Sequence, residues 1–146
     1  MLNIESILQE QKIHYTKEVD GKAAVSFSLP YNVAGNMVAV FLFPRSDVVQ
    51  ATIGIRTLDS IGTSSTKTLL RELLRLNGFT RYSKVILWST PGEEVDWIAV
   101  DACIPSDALT ASSLMACISD ALALTEQVMQ TIAACSGALQ KQASPT

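Results

Sequence analysis

The chain has 146 residues, is 48% hydrophobic and 17% charged, and carries a formal net charge of −3 at pH 7. This is one domain's worth of sequence, apolar enough to build a core, which excludes a predominantly disordered chain. The acidic balance argues against nucleic-acid binding, which calls for a basic patch or stripe; the densest basic group, Lys67, Arg71, Arg75, Arg81 and Lys84, is small.

The longest apolar run, Met37 to Phe43, is far too short to span a bilayer. The first residues carry Glu5 and Glu10 and lack a basic stretch followed by an apolar one, so no signal peptide is expected and the location expected is cytoplasmic. Cys103, Cys117 and Cys135 are odd in number and widely spaced, which fits neither a disulfide framework nor a metal site. Cys103 and Cys117 are expected as small buried apolar residues. No cofactor is implied.

In chain order, Asn3 to Lys12 forms a short helix, with Asn3 as its cap and Ile4, Ile7, Leu8 and Gln11 on one face. His14 to Val19 has the character of a short edge strand, and Asp20-Gly21 is a turn dipeptide. Ala23, Val25, Phe27 and Leu29 alternate with Ala24, Ser26 and Ser28 as in a half-buried strand, which Pro30 is expected to end. Asn32 to Asn36 is a turn. Met37 to Phe43, apolar throughout, is expected as a central strand covered on both faces. Val49, Ala51, Ile53 and Ile55 give another alternating strand, with Gln50, Thr52 and Arg56 opposite. Short connections favour an antiparallel meander.

A polar connector, Leu58 to Thr66, leads to a leucine-rich helix, with Ser64, Ser65 or Thr66 as its cap. Leu69, Leu70, Leu73 and Leu74 form one apolar stripe, continued by Asn77, and Gly78 is placed to close the helix in the left-handed conformation. A hairpin follows, Lys84 to Trp88 and Trp97 to Ile104, with Pro91-Gly92 in its loop. Trp88 and Trp97 flank that loop and suit a core or an interface. After Pro105, a long helix from about Thr110 to Ala134 carries Ala111, Met115, Ile118, Leu122, Thr125, Met129 and Ile132 at heptad spacing, widened by Leu114, Ala121 and Val128. Residues 1–136 are read as one domain and 137–146 as a flexible polar tail. The order is α-β-β-β-α-β-β-α, with the His14 to Val19 piece as a further candidate strand: an α+β fold with a mainly antiparallel sheet.

This order resembles that of the YbjN-like proteins, whose fold is shared with class I type III secretion chaperones. The resemblance is carried by the helix ending in Leu74-Arg75-Leu76-Asn77, the hairpin Val85 to Trp88 and Trp97 to Ile104, a proline, and the long amphipathic helix Leu114 to Ile132. The pI of about 5.0 suits that group, although the chain is less acidic than a typical secretion chaperone, and the His14 to Val19 piece is a departure. The resemblance implies a non-enzymatic, homodimeric module that holds a partner protein on apolar sheet or helix surface. The candidate contact residues are Leu69, Leu70, Leu73, Leu74, Trp88 and Trp97. One alternative is a dedicated type III secretion effector chaperone. Another is a small ligand-binding or enzymatic domain with a pocket between sheet and helices.

Enzymatic candidates are few. His14 is the one histidine, and no GxSxG elbow accompanies it. Glu93, Glu94 and Asp96, near Asp101, can hold a divalent metal or be a solvated loop. Asp101 interrupts an apolar strand and is expected on the face opposite Val100 and Ala102, paired with Arg81 or Lys84.

Overall fold

The computed structural model describes residues 3–21, 23–61, 65–89, 92 and 94–143. Helix α1 (Ile4–Glu10) begins at Asn3, whose side chain accepts the Ser6 amide at 2.7 Å and satisfies a free donor of the first turn. Its Ile4, Ile7 and Leu8 are buried. Strand β1 (Thr16–Asp20) leads through Gly21 to β2 (Ala23–Val33). Ala34 and Gly35, at φ 51° and 85°, turn the chain into β3 (Asn36–Pro44); two-residue hairpin turns need this left-handed backbone. Strand β4 (Val48–Thr57) completes the meander.

A 3₁₀ turn at Leu58–Ser60 precedes α2 (Thr66–Arg75), whose cap is Ser65, accepting the Thr68 amide at 3.1 Å. The hairpin of β5 (Ser83–Ser89) and β6 (Asp96–Pro105) follows. Helix α3 (Ala111–Ala143) is entered through reciprocal bonds between Thr110 and Ser113. The six strands lie in the order β1-β2-β3-β4-β6-β5, and every neighbouring pair is antiparallel. Strands β1 and β5 are therefore the edges.

Residues paired across a ladder share a face of the sheet. Leu29 pairs with Val40, Leu42 with Ala51, Ile53 with Val100 and Val100 with Val85. These residues join α1, α2 and α3 in one buried cluster. All three helices thus cover one face, and the other is open. The core side of α3 is Leu114, Ile118, Ala121, Thr125, Val128 and Ile132, all buried. No helix among the described residues is long and apolar enough to cross a membrane.

Several expectations are corrected. Four strands precede α2, because the His14 to Val19 piece is a true edge strand, shifted to Thr16–Asp20. Pro30 does not end β2; it pairs with Ala39. Strand β1 stops opposite Ser28, so beyond it β2 has a neighbour on one side only, where proline is tolerated. Strand β3 is internal but covered on one face only: Met37 is 69% exposed and Phe41 38%. The α3 stripe is rotated toward Leu114, Ala121 and Val128, leaving Met115, Leu122 and Met129 half-buried, and the helix reaches Ala143 rather than Ala134. Gly78 is not left-handed, since the positive-φ glycines are Gly21, Gly35 and Gly92. Instead α2 tightens into a 3₁₀ turn, Leu76–Gly78, because Asn77 is tied to the sheet.

Candidate protein-interaction surface

The tie is made to edge strand β5. The Asn77 side-chain amide donates to the Val85 carbonyl at 3.1 Å, and its oxygen accepts the Val85 amide at 2.6 Å. One side chain thereby completes the hydrogen bonding of one strand residue, as a neighbouring strand would. On α3, Asp120 Oδ2 accepts the amides of Tyr82 and Ser83 (3.2 and 3.0 Å) and the Ser83 hydroxyl (2.6 Å). Sequence reasoning missed Asp120. Its signal was an acid beside the buried stripe of α3, between Cys117 and Ala121, where an unpartnered carboxylate is costly.

The outward backbone of β5 is thus bonded at the Ser83 amide and at both groups of Val85. Backbone groups of alternate residues point the same way, so Leu87 and Ser89 also face outward. Among the described residues no bond reaches their outward groups. Such an unpaired edge is a template for another strand. The other edge is treated differently: β1 carries Lys17 and Glu18 and a bulge between Glu18 and Val19, devices that discourage pairing. Lys17 also bonds Glu5 at 2.9 Å. The Lys17 and Tyr15 hydrogen bonds hold the Glu5 carboxyl below its usual range.

Apolar side chains gather around the open half of β5, and here the predicted contact residues divide. Leu69 and Leu73 are core residues, 0% and 1% exposed, and are unavailable to a partner. Leu70 is half-buried and Leu74 59% exposed. The leucines form two stripes, because successive helix residues are turned by about 100°. Leu70, Leu74 and Leu87 line an apolar cleft between α2 and β5, with Leu73 and Ile98 also contributing. On the opposite face of the sheet, Trp88 and Trp97 are cross-strand partners. Trp88 is 44% exposed, and the Trp97 ring lies over Gly54, where an added Cβ would meet it at 3.7 Å. Leu87, 47% exposed, belongs to this region and was not predicted; Phe79, which follows the 3₁₀ turn after α2, is 87% exposed.

The open sheet face also carries a polar row. Asp101 Oδ1 accepts from Gln50 Nε2 and Thr52 Oγ1, both at 2.8 Å. The expected pairing with Arg81 or Lys84 is not made: Lys84 Nζ donates instead to the Asn77 carbonyl at 2.9 Å, and the Arg81 guanidinium lies over Tyr82. Phe41 and Phe43 stack with ring centroids 6.3 Å apart, and Arg45 lies over Phe43.

Cys117 is buried as expected, but Cys103 is exposed. It follows the alternation of β6 onto the open face, opposite Gln50. Partial burial and the neighbouring Asp101 push its thiol pKa up. Burial, then Asp120, Cys103 and Asp101, push the Cys117 thiol to about 11. A raised pKa means less thiolate near neutral pH. We therefore expect iodoacetamide at pH 8 to modify Cys103 while Cys117 stays unmodified in the folded protein, and Asp101→Asn to speed the Cys103 reaction. Mass spectrometry of the digested protein reads both; equal labelling of the two cysteines would contradict this assignment.

The enzymatic candidates do not converge. His14 is exposed on the segment before β1. Glu93 lies outside the described residues, Glu94 and Asp96 are exposed, and Asp96 accepts the Ser89 hydroxyl. No group of three potential metal ligands occurs among the described residues. A cleft of about 390 Å³ between the sheet and the end of α3 is lined by Met37, Ile55, Arg56, Met129 and Ile132 among others, and includes neither His14 nor Asp101.

No protein-family model matches the sequence, and no curated protein does. Among solved structures, YbjN from E. coli, described as a candidate transcription regulator, matches with a TM-score of 0.61 and 10% sequence identity. The match covers 86% of this chain and 84% of that one. At this identity the likeness speaks for the fold: the chain has the YbjN-like α+β architecture, a six-stranded antiparallel sheet packed against three helices.

Proposed function

We propose that this chain is a non-enzymatic protein-binding module that takes an extended segment of a partner onto the open half of β5. The observation that carries the reading is the outward backbone at Leu87 and Ser89, unpaired among the described residues and flanked by exposed Leu74 and Leu87 on one face and Trp88 on the other. Strand addition draws affinity from backbone hydrogen bonds and specificity from side chains that alternate between the two faces. We assign the open sheet face, with Met37, Phe41 and Phe43, to a second copy, giving a homodimer with a self-complementary interface. YbjN is described as a candidate transcription regulator. With a net charge of −3, this chain would act in such a role through protein contacts rather than through DNA.

The test starts from a tagged chain, with captured proteins identified by mass spectrometry. Leu87→Pro removes the outward N–H, whereas the bonds to β6 come from the alternate residues and remain. That variant is expected to lose the partner while keeping its melting curve. Amide exchange at Leu87 and Ser89 should slow in the complex. A partner held equally by Leu87→Pro would refute strand addition, and a monomeric mass in sedimentation would refute the dimer.

A further inference from the structure

Helix α2 presents a second feature beside the β5 edge. Lys67, Leu70, Arg71, Leu74 and Arg75 line a shallow groove on its outer side. Their spacing of three and four residues puts them on one helix face. Thr66–Arg75 holds three basic residues and one acid, in a chain whose net charge is −3. The acid, Glu72, is already bonded to Arg75 at 2.9 Å. Lys67 and Arg71 are exposed, and neither is in an ion pair among the described residues. Leucines one turn apart, bordered by unneutralised cations, are complementary to an amphipathic segment with acidic flanks.

We infer that this groove takes an acidic amphipathic helix from a partner protein. Its apolar residues would sit on Leu70 and Leu74, and its carboxylates would face Lys67 and Arg71. The inference rests on the reading of the chain as a binding module and names the chemistry of the partner. A second copy does not supply such a helix. The apolar residues of α1, Ile4, Ile7 and Leu8, are buried, so its acids Glu5 and Glu10 have no exposed apolar stripe beside them. On α3, Asp120 is bonded to Tyr82 and Ser83, which leaves Glu126 as the remaining acid along the described side chains.

The test uses labelled peptides of about 18 residues, long enough to form a helix, with leucine at three- and four-residue spacing. One peptide carries glutamate at the other positions, and its twin carries lysine. Fluorescence anisotropy against the full chain should show binding of the glutamate peptide only, weakening as salt rises. Lys67→Glu with Arg71→Glu should weaken it at least about tenfold. Both side chains are exposed, so melting should be unchanged. Equal binding of both peptides, or of the glutamate peptide to wild type and double variant, would overturn the inference. So would binding to phosphatidylserine vesicles in place of the peptide, which would point to a membrane. A dimer abolished by Leu74→Asp without peptide binding would assign the groove to a second copy and overturn it too. Leu87→Pro separates the two readings: glutamate-peptide binding is expected to survive it, so strand addition at β5 can fail while the groove stands.

Discussion

Leu73→Asp is expected to unfold the protein, whereas Leu74→Asp, one residue along, is expected to leave it folded. Leu73 is 1% exposed and belongs to the single buried cluster. Truncating a buried leucine costs about 2–5 kcal/mol. Placing a carboxylate there adds several kcal/mol of desolvation, because Leu73 sits in an apolar cluster. A domain has about 5–15 kcal/mol in all, so the loss is comparable with the whole stability. Leu74 is 59% exposed. Its replacement removes little burial, and the cost is limited to a weaker helix former and an acid near the helix C-terminus, about 1 kcal/mol together. Circular dichroism melts of the two variants decide the matter. An unchanged melt for Leu73→Asp would mean that α2 does not dock on the core as described. Collapse of both would mean that the outer stripe also carries structure.

The second large effect is expected at Asp120, a residue with no place in a reading of α3 as a plain amphipathic helix. One of its oxygens accepts three hydrogen bonds from Tyr82 and Ser83, and Ser83 is 0% exposed. Asp120→Ala leaves a buried amide and hydroxyl without their acceptor. Hydrogen bonds to a charged group contribute about 1.5–3 kcal/mol each but share one acceptor here, so about 3 kcal/mol is expected for the set. For a domain of this size that lowers the melting temperature by about 6–12 °C. Asp120→Asn, which keeps an acceptor oxygen, should lose less. Asn77→Ala removes the other tie to β5 and should cost about 1–3 kcal/mol. Both residues hold the same strand, so the double variant should depart from additivity. Strict additivity, or a neutral Asp120→Ala, would refute the shared role.

What could be read from the sequence followed the physics of each element. The period-two runs of β2, β4 and β6 are visible because one of their faces is buried, so the alternation of side chains is written into composition. The Asn3 cap and the helix it starts depend only on neighbouring residues. Errors arose where tertiary context decides. An unbroken apolar run such as Met37 to Phe43 says that both faces avoid charge, but not that both are covered. The doublets Leu69-Leu70 and Leu73-Leu74 offer two stripes about 100° apart, and only the packing of α2 selects the inner one. Gly78 has the local character of a helix stop, yet Asn77 ends the helix through Val85, a residue eight positions away. Of the predicted contact residues, Leu70, Leu74, Trp88 and Trp97 reach the surface and Leu69 and Leu73 do not. Which side chains border an unpaired strand edge is fixed by the strand order, and no local pattern contains it.

The pairing of Trp88 with Trp97 has an optical consequence. The chain has two tryptophans, and both sit on the β5–β6 hairpin beside its open edge. Intrinsic fluorescence of the unlabelled protein is therefore a local gauge of this hairpin rather than an average over the core. A segment adding to β5 would shield Trp88 and shift its emission to the blue, so binding is readable without a dye. In an unfolding experiment the same emission would follow release of the hairpin, while far-ultraviolet circular dichroism would follow α3. Any separation between the two curves would measure how independently this edge can open.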